Sequence, residues 1–319
     1  MNNIKVSVIV PVYNGGEYIC DTLNLLLKQD FEGYELIIID DGSTDDSLDL
    51  IKKTLKNTTV PHQIIHQENK GVSSARNVGI EKSNGEYLVF VDCDDCVSSN
   101  HISSLYRNIK DFSLTQFVKK DNNYTSKPYN YTQKQMSAHE FIKKELNMEI
   151  PFHFAQLMYK KEIIQKNNIR FLENVTYGED THFALKALIH GENIQISNEV
   201  TYYYIQHSDS AIQTAQLKRF EIVKVFENLA EYYQKNGEDE LASLIYTSRI
   251  PKAIFGNMNF FFYSNYDFDE VIAKMKENNL FEKLSRYKGD FKFKIKIKMF
   301  LINPRLYYKL WMKFKKKID

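Results

Sequence analysis

The first hundred residues predict an α/β fold built on a mostly parallel, twisted sheet wound on both sides by helices. Three observations carry this. Apolar, largely β-branched runs at residues 4–10, 34–39 and 87–91, and a shorter one at 62–66, alternate with stretches whose apolar residues recur at helical spacing, the pattern of consecutive strand–helix units. Two of the runs end abruptly in carboxylates, Asp40-Asp41 and Asp92-Cys93-Asp94-Asp95, and an open parallel sheet gathers its ligands outside the carboxyl ends of its strands. The connections hold Gly, Pro, Asn and Ser, residues suited to short turns.

Taken in order, residues 4–10 form a strand that closes on Pro11-Val12-Tyr13-Asn14-Gly15-Gly16. From 17 to 29, Ile19, Leu23, Leu26 and Leu27 share one helical stripe. The strand at 34–39 ends in Asp40-Asp41-Gly42-Ser43-Thr44-Asp45, and a helix over 46–55 leads to a short strand at 62–66. Next comes Asn69-Lys70-Gly71-Val72-Ser73-Ser74-Ala75-Arg76-Asn77, where a Gly-containing loop and a Ser N-cap open a helix ending near Ser83. Gly85 then turns the chain into the strand that delivers Asp92, Asp94 and Asp95. If the chain stays extended through Asp94, side chains two apart share a face, so Asp92 and Asp94 point together and Cys93 looks away. Two oxygen ligands on one face suit a hard cation, Mg2+ or Mn2+. The competing reading makes Asp94-Asp95 a cap for the segment that follows.

The net charge of +1 hides an asymmetry. Residues 288–319 hold eleven basic and two acidic side chains, a net of +9 that leaves about −8 for the remainder. A hydrophobic content of 43% is ordinary for a globular chain. No charged-then-apolar leader follows Met1, and no apolar run approaches the ~20 residues a membrane span needs. The expectation is a cytoplasmic protein. Three cysteines, Cys20, Cys93 and Cys96, argue against a disulfide framework, and Cys93 reads better as a small residue behind the acids than as half of a zinc or redox site. The first turn lacks G-x-G-x-x-G and no Walker lysine is present, which excludes the usual dinucleotide and P-loop sites.

Val10-Pro11-Val12-Tyr13-Asn14, Ile38-Ile39-Asp40-Asp41-Gly42-Ser43-Thr44-Asp45, Gly71-Val72-Ser73-Ser74-Ala75-Arg76-Asn77 and Asp92-Cys93-Asp94-Asp95 follow one another in an order that resembles the signature of family-2 glycosyltransferases with the GT-A fold. The resemblance covers residues 4 to about 100 and implies a nucleotide-sugar site. Pro11, Val12, Tyr13, Asn14, Asp41, Asn69, Arg76, Asp92 and Cys93 would form its donor side, with Tyr13 stacked on a uracil and Asp41 accepting the ring N–H. Arg76 would support the nucleotide or its diphosphate, Asp92 the ribose or metal, and Asp94 the metal. Read singly, Tyr13 is equally a core aromatic, Asp41 a turn former and Arg76 a solvated helix residue.

Residues 111–135 are polar and read as a surface insertion with little regular structure; a helix follows over 137–147. In Val175-Thr176-Tyr177-Gly178-Glu179-Asp180-Thr181-His182-Phe183 the acids open a helix that ends at Gly191. They are caps on one reading. On the other, a carboxylate beside the helix amino end accepts a proton. The stretch resembles the family's Glu-Asp motif, which implies Asp180 as the base and Glu179 as a neighbour positioning the acceptor. A Tyr-rich strand at 199–205 precedes His207, a metal ligand if the resemblance extends there.

The expected organisation is therefore a GT-A catalytic domain over 1–215, split near residue 100 into donor and acceptor halves, a helical appendage over 216–287, and a basic, aromatic-rich tail over 288–319. In that tail the Lys/apolar alternation of 292–298 suits a strand, and 304–317 a basic amphipathic helix. The mix fits an anionic membrane surface better than nucleic acid, or else packs on the body. The implied activity is inverting, Mn2+- or Mg2+-dependent transfer of a hexosyl or N-acetylhexosaminyl group from a UDP-sugar to a saccharide or lipid-linked saccharide of a bacterial surface glycan, at the inner face of the membrane. A nucleotidyltransferase and a noncatalytic sugar-nucleotide-binding module are the rivals. The first wants a basic, Gly-rich loop that Pro11-Val12-Tyr13-Asn14-Gly15-Gly16 does not supply, and the second needs no base.

Overall fold

The computed structural model describes residues 4–121, 123–206 and 216–315. They divide into two compact units, one drawn from 1–142, 150–174 and 179–207, the other from 143–149, 175–178 and 208–319. The chain runs β1 (Val6–Val12), α1 (Ile19–Leu26), β2 (Tyr34–Asp40), α2 (Ser47–Leu55), β3 (His62–His66), α3 (Val72–Lys82), β4 (Tyr87–Phe90), β5 (Cys96–Val97), α4 (His101–Tyr106), β6 (Phe112–Lys120), β7 (Gln135–Ser137), α5 (Ala138–Leu146), β8 (Leu157–Lys160), α6 (Lys161–Lys166), α7 (Glu179–Leu188) and β9 (Asn193–Ile205). Every residue of β1 and β2 is buried, the state of strands covered on both faces, which is why they read as unbroken apolar runs.

The nine strands form one mixed sheet in the order β3-β2-β1-β4-β8-β6-β9-β5, with β7 on β9. β1 lies parallel to both β2 and β4, whereas β8 is antiparallel to β4 and β6. Because the strand order departs from β1 in both directions, the switch point lies between β1 and β4, where a crevice opens at the strand ends. Pro11 marks the parting. The β1–β4 pairing stops at Ile9↔Phe90, so a residue with no N–H sits just past the end of the ladder, where none is needed. Gly79 brings α3 hard against the sheet: a Cβ there would stand 2.4 Å from Ile9 Cγ2 and 3.0 Å from Ile39 Cδ1. The amino half of α3 is thereby held beside the crevice.

Four elements differ from the sequence expectation. The supposed insertion at 111–135 contains β6, whose first seven residues are buried between β8 and β9. Its polar residues are satisfied from afar, Ser113 Oγ donating to the Leu105 carbonyl at 2.5 Å and Thr201 Oγ1 to Thr115 Oγ1 at 2.6 Å, so polar composition did not mean exposure. Helix α3 has Gly71 at its N-cap with φ 88° and no side-chain cap. The chain does not stay extended through Asp94: β4 ends at Phe90, and the Asp95 N–H closes a turn onto the Asp92 carbonyl at 3.1 Å. The alternating 292–298 stretch is helical, as described next.

The second unit holds α8 (Ile222–Lys235), α9 (Asp239–Leu244), α10 (Ile250–Tyr263), α11 (Phe268–Glu277), α12 (Leu280–Ser285), α13 (Phe291–Ile302) and α14 (Pro304–Lys315). Asp290 caps α13 by accepting the Phe293 N–H at 2.8 Å, and Phe293, Ile297 and Phe300 turn to one inner face. Among the described residues no helix is long and apolar enough to cross a membrane.

Candidate active site

The carboxyl ends of β1, β2 and β4 are laced together. Tyr13, just past β1, is 51% exposed, whereas Pro11 and Val12 are buried in the strand. Asn14 adopts φ 48°, its N–H donating to Ser43 Oγ at 3.0 Å while its Oδ1 accepts the Thr44 N–H at 2.8 Å. Asp41 is almost fully buried, and its carboxylate accepts Gln67 Nε2 at 2.6 Å and the N–H groups of Lys70 and Gly71 at 2.9 and 2.8 Å. A carboxylate has about four acceptor positions, so Asp41 fixes the loop into α3 with most of its capacity. Gly42, at φ +74°, lets that loop approach, since a Cβ would stand 2.7 Å from the Asn69 nitrogen. Asn69 itself is exposed.

The acidic turn after β4 is buttressed from beneath. Thr22 Oγ1 lies 2.8 and 3.0 Å from the carbonyls of Cys93 and Asp95. Cys93 sits under the Gly15 turn, and burial with the adjacent Asp94 and Asp92 pushes its thiol up to about 12, so it stays neutral. Asp95 faces inward, accepting the Tyr202 hydroxyl at 2.5 Å and the Ile205 N–H at 2.8 Å. Burial and the Asp92 charge raise its carboxyl well above the ordinary range. Asp92 and Asp94 are half-buried.

Arg76 joins this turn to the second acidic stretch. Its Nη2 donates to Asp92 Oδ1 at 2.7 Å, its Nη1 lies 3.6 Å from Glu179 Oε1, and its guanidinium covers the rings of Phe154 and Phe171 at 4.5 and 5.3 Å. Burial works against its charge, but Asp92 and Glu179 outweigh it and the guanidinium pKa rises. Its Nε and Nη1 make no hydrogen bond among the described residues. Neighbouring Asn77 pins the chain ahead of α7: its Nδ2 donates to the Phe171 carbonyl and Glu173 Oε1, both at 3.1 Å, and its Oδ1 accepts the Phe171 N–H at 2.9 Å. Glu179 and Asp180 open α7. Burial, then Asp180, lifts the Glu179 carboxyl to about 7 against the pull of Arg76.

Tyr13, Asp41, Arg76, Asp92, Cys93, Asp94, Glu179 and Asp180 thus meet at one edge of the sheet, and His207 lies outside the described residues. Sequence reading missed His153, whose ring packs against Phe117, Tyr202 and Tyr204 and whose imidazole is held neutral by burial. No motif surrounds it. Carboxylates far outnumber cations here: burial together with Asp95, Asp94 and Asp92 also drives the Tyr204 phenol up to about 12. Among the described residues no three His, Cys, Asp or Glu form a ready-made metal cage. Two carboxylates beside a diphosphate are nevertheless the usual protein share of a Mg2+ or Mn2+ site, so Asp92 and Asp94 in this negative field fit such an ion.

The model of the family described as Glycosyl transferase family 2 matches residues 7–167. An uncharacterized glycosyltransferase of Bacillus subtilis, EpsJ, is 30% identical over 218 residues, 64% of this chain and 62% of its own length. The poly(ribitol-phosphate) beta-N-acetylglucosaminyltransferase TarS of Staphylococcus aureus is 28% identical over 204 residues, which is 63% of this chain but 35% of TarS. The crystal structure of TarS residues 1–349 with UDP-GlcNAc superposes with a TM-score of 0.75 at 20% identity, covering 98% of this chain and 92% of that one, which shows a common fold. The mannosyltransferase PcManGT of Pyrobaculum calidifontis, solved with GDP-Man and Mn2+, gives a TM-score of 0.52 at 17% identity, covering 97% and 88%.

Proposed function

Because the chain belongs to glycosyl transferase family 2, we propose that its first unit transfers a sugar from a UDP-sugar to the hydroxyl of a saccharide or lipid-linked saccharide, with inversion. The observation that carries this is Arg76, one buried guanidinium set between Asp92 and Glu179, which supports reading two stretches distant in sequence as one site. UDP-GlcNAc in the TarS structure supports the nucleotide, and the poly(ribitol-phosphate) in the name of TarS supports an acceptor hydroxyl on a polymer. A lipid-linked acceptor would place the protein at the inner face of a membrane.

On this reading Tyr13 stacks on the uracil, and Asp41, with one acceptor position left, takes the ring N–H. Asn14 and Asn69 border the nucleotide; Pro11, Val12 and Cys93 shape the floor beneath it. The two spare nitrogens of Arg76, Nε and Nη1, meet the diphosphate or ribose by charge-assisted hydrogen bonds. Asp94 and Asp92, with His207, would hold Mn2+ or Mg2+, which when bound offsets charge on the leaving diphosphate. Asp180 takes the acceptor proton as the acceptor oxygen bonds to the anomeric carbon; the bond from that carbon to the diphosphate oxygen breaks on the opposite face, and its electron pair leaves with UDP. Glu179, protonated up to about pH 7, removes one negative charge from beside the base and can donate a hydrogen bond to the acceptor.

A UDP-release screen across UDP-sugars with Mn2+ or Mg2+, with and without glycan acceptors, tests this. Asp180→Asn is expected to lower kcat by about 10²–10⁴ while UDP affinity stays within about threefold. Near-normal turnover in that variant would remove the base assignment.

A further inference from the structure

Helix α13 is apolar on two sides, and among the described residues only one of them is covered. Phe293 packs against Phe255 and Tyr287 at centroid distances of 5.1 and 4.9 Å, and Phe300 against Phe281 and Tyr307, both at 5.6 Å. Phe291, Ile295, Met299 and Ile302 point the other way, 75%, 40%, 46% and 84% exposed. At about 100° per residue, these four fall within about 80° of the helix circumference. They form one unbroken stripe. Lys292, Lys294, Lys296 and Lys298 are all exposed, and on the same wheel Lys294 and Lys298 border one side of the stripe, Lys292 and Lys296 the other. In α14, Leu306 and Leu310 are exposed with Lys309 and Lys313 near them. From 291 to 313 there is no Asp or Glu. Asp290, just ahead, caps the helix, and Arg305 is paired with Asp269 at 2.7 Å.

The arrangement narrows the occupant. Nucleic acid would satisfy the lysines but leave a phenylalanine, two isoleucines and a methionine in water. A second copy packed stripe to stripe would bring lysine rows alongside lysine rows, a like-charge seam. An anionic lipid surface satisfies both parts: the apolar side chains enter the headgroup–acyl boundary, and the lysine stems lie along it with their ammonium groups on the phosphates. We propose that α13 lies in the plane of an anionic membrane surface, inserting Phe291, Ile295, Met299 and Ile302 between its two lysine rows. This does not rest on the transferase reading.

The test uses the full chain and vesicles of phosphatidylcholine alone or mixed with phosphatidylglycerol, read by co-sedimentation, with far-UV circular dichroism confirming that each variant folds. Wild type is expected to sediment with the mixed vesicles and to stay in the supernatant with phosphatidylcholine. Each lysine at an anionic surface is worth about fivefold in partitioning. Replacing Lys292, Lys294, Lys296 and Lys298 together by Gln should therefore weaken binding by more than about a hundredfold. Replacing Phe291, Ile295, Met299 and Ile302 by Ser should abolish it even at low salt. Wild type remaining in the supernatant overturns the proposal, as does a serine variant that binds like wild type. So would light scattering that finds a wild-type dimer and a serine-variant monomer, which would make the stripe a seam between copies. Sedimentation needs no turnover, so a failed transferase assay leaves this result standing.

Discussion

Glu179→Gln should stabilise the protein at alkaline pH and leave it unchanged at acid pH. The Glu179 side chain is 14% exposed, and burial plus the Asp180 charge lift its carboxyl from 4.5 to about 7. Between those two values the folded chain keeps a proton that the unfolded chain has released. Unfolding then sheds protons, so stability falls as pH rises. The contribution is fully present below about pH 4.5 and lost by the time pH passes 7. At ~1.4 kcal/mol per pH unit, the span amounts to about 3 kcal/mol. Gln keeps the shape and has no proton to lose. The variant should match the parent at pH 4 and exceed it by about 3 kcal/mol at pH 8. Urea unfolding in EDTA should be followed through hydrogen exchange at β1 and β4, because the single tryptophan, Trp311, lies in the other unit. A difference independent of pH, or a variant weaker at pH 8, would refute the reasoning.

Three further outcomes are expected. Tyr13→Ala should leave thermal stability within about 0.5 kcal/mol because the ring is exposed, yet weaken UDP binding about tenfold by calorimetry through lost stacking; Tyr13→Phe should retain affinity. Asn77→Ala removes three hydrogen bonds to residues 171 and 173. It should cost about 2–3 kcal/mol in denaturant titration and lower kcat more than donor affinity, since that segment leads to Glu179. Gly79→Ala places a carbon 2.4 Å from Ile9 and should cost about 1–3 kcal/mol; an unchanged melting curve would contradict the close packing of α3 on β1.

Asp41 and Asp92 could be picked out because each follows an apolar run with charge, a contrast visible along the chain, and Asp180 because, with Glu179, it opens a helix in a stretch that resembles the family's Glu-Asp motif. What Asp41 grips could not. Its partners are mostly backbone N–H groups of Lys70 and Gly71, and every residue but proline offers one. From the sequence Arg76 reads as a cation expected beside a nucleotide, not as the tie between Asp92 and Glu179, because Glu179 reaches it only through the tertiary fold. β6 was hidden by Ser113, Thr115 and Gln116, whose polarity suggested surface. α13 was misread because seven residues of alternating Lys and apolar type satisfy a period of two. Only the longer window with Phe300 and the Asp290 cap favours 3.6. His153 had nothing in its neighbourhood to flag it.

Arg76 and Asn77 are consecutive on α3, one holding the acidic turn and the other the segment before α7. The two halves of the candidate site therefore hang from a single turn of helix and are not modular. A chimera that grafts the part of a relative beyond about residue 100 onto the first hundred residues of this chain would have to import residues that satisfy Asn77, or transplant α3 with the graft. Otherwise the foreign segment would arrive without its anchor, and a silent hybrid would say nothing about which sugar the graft prefers.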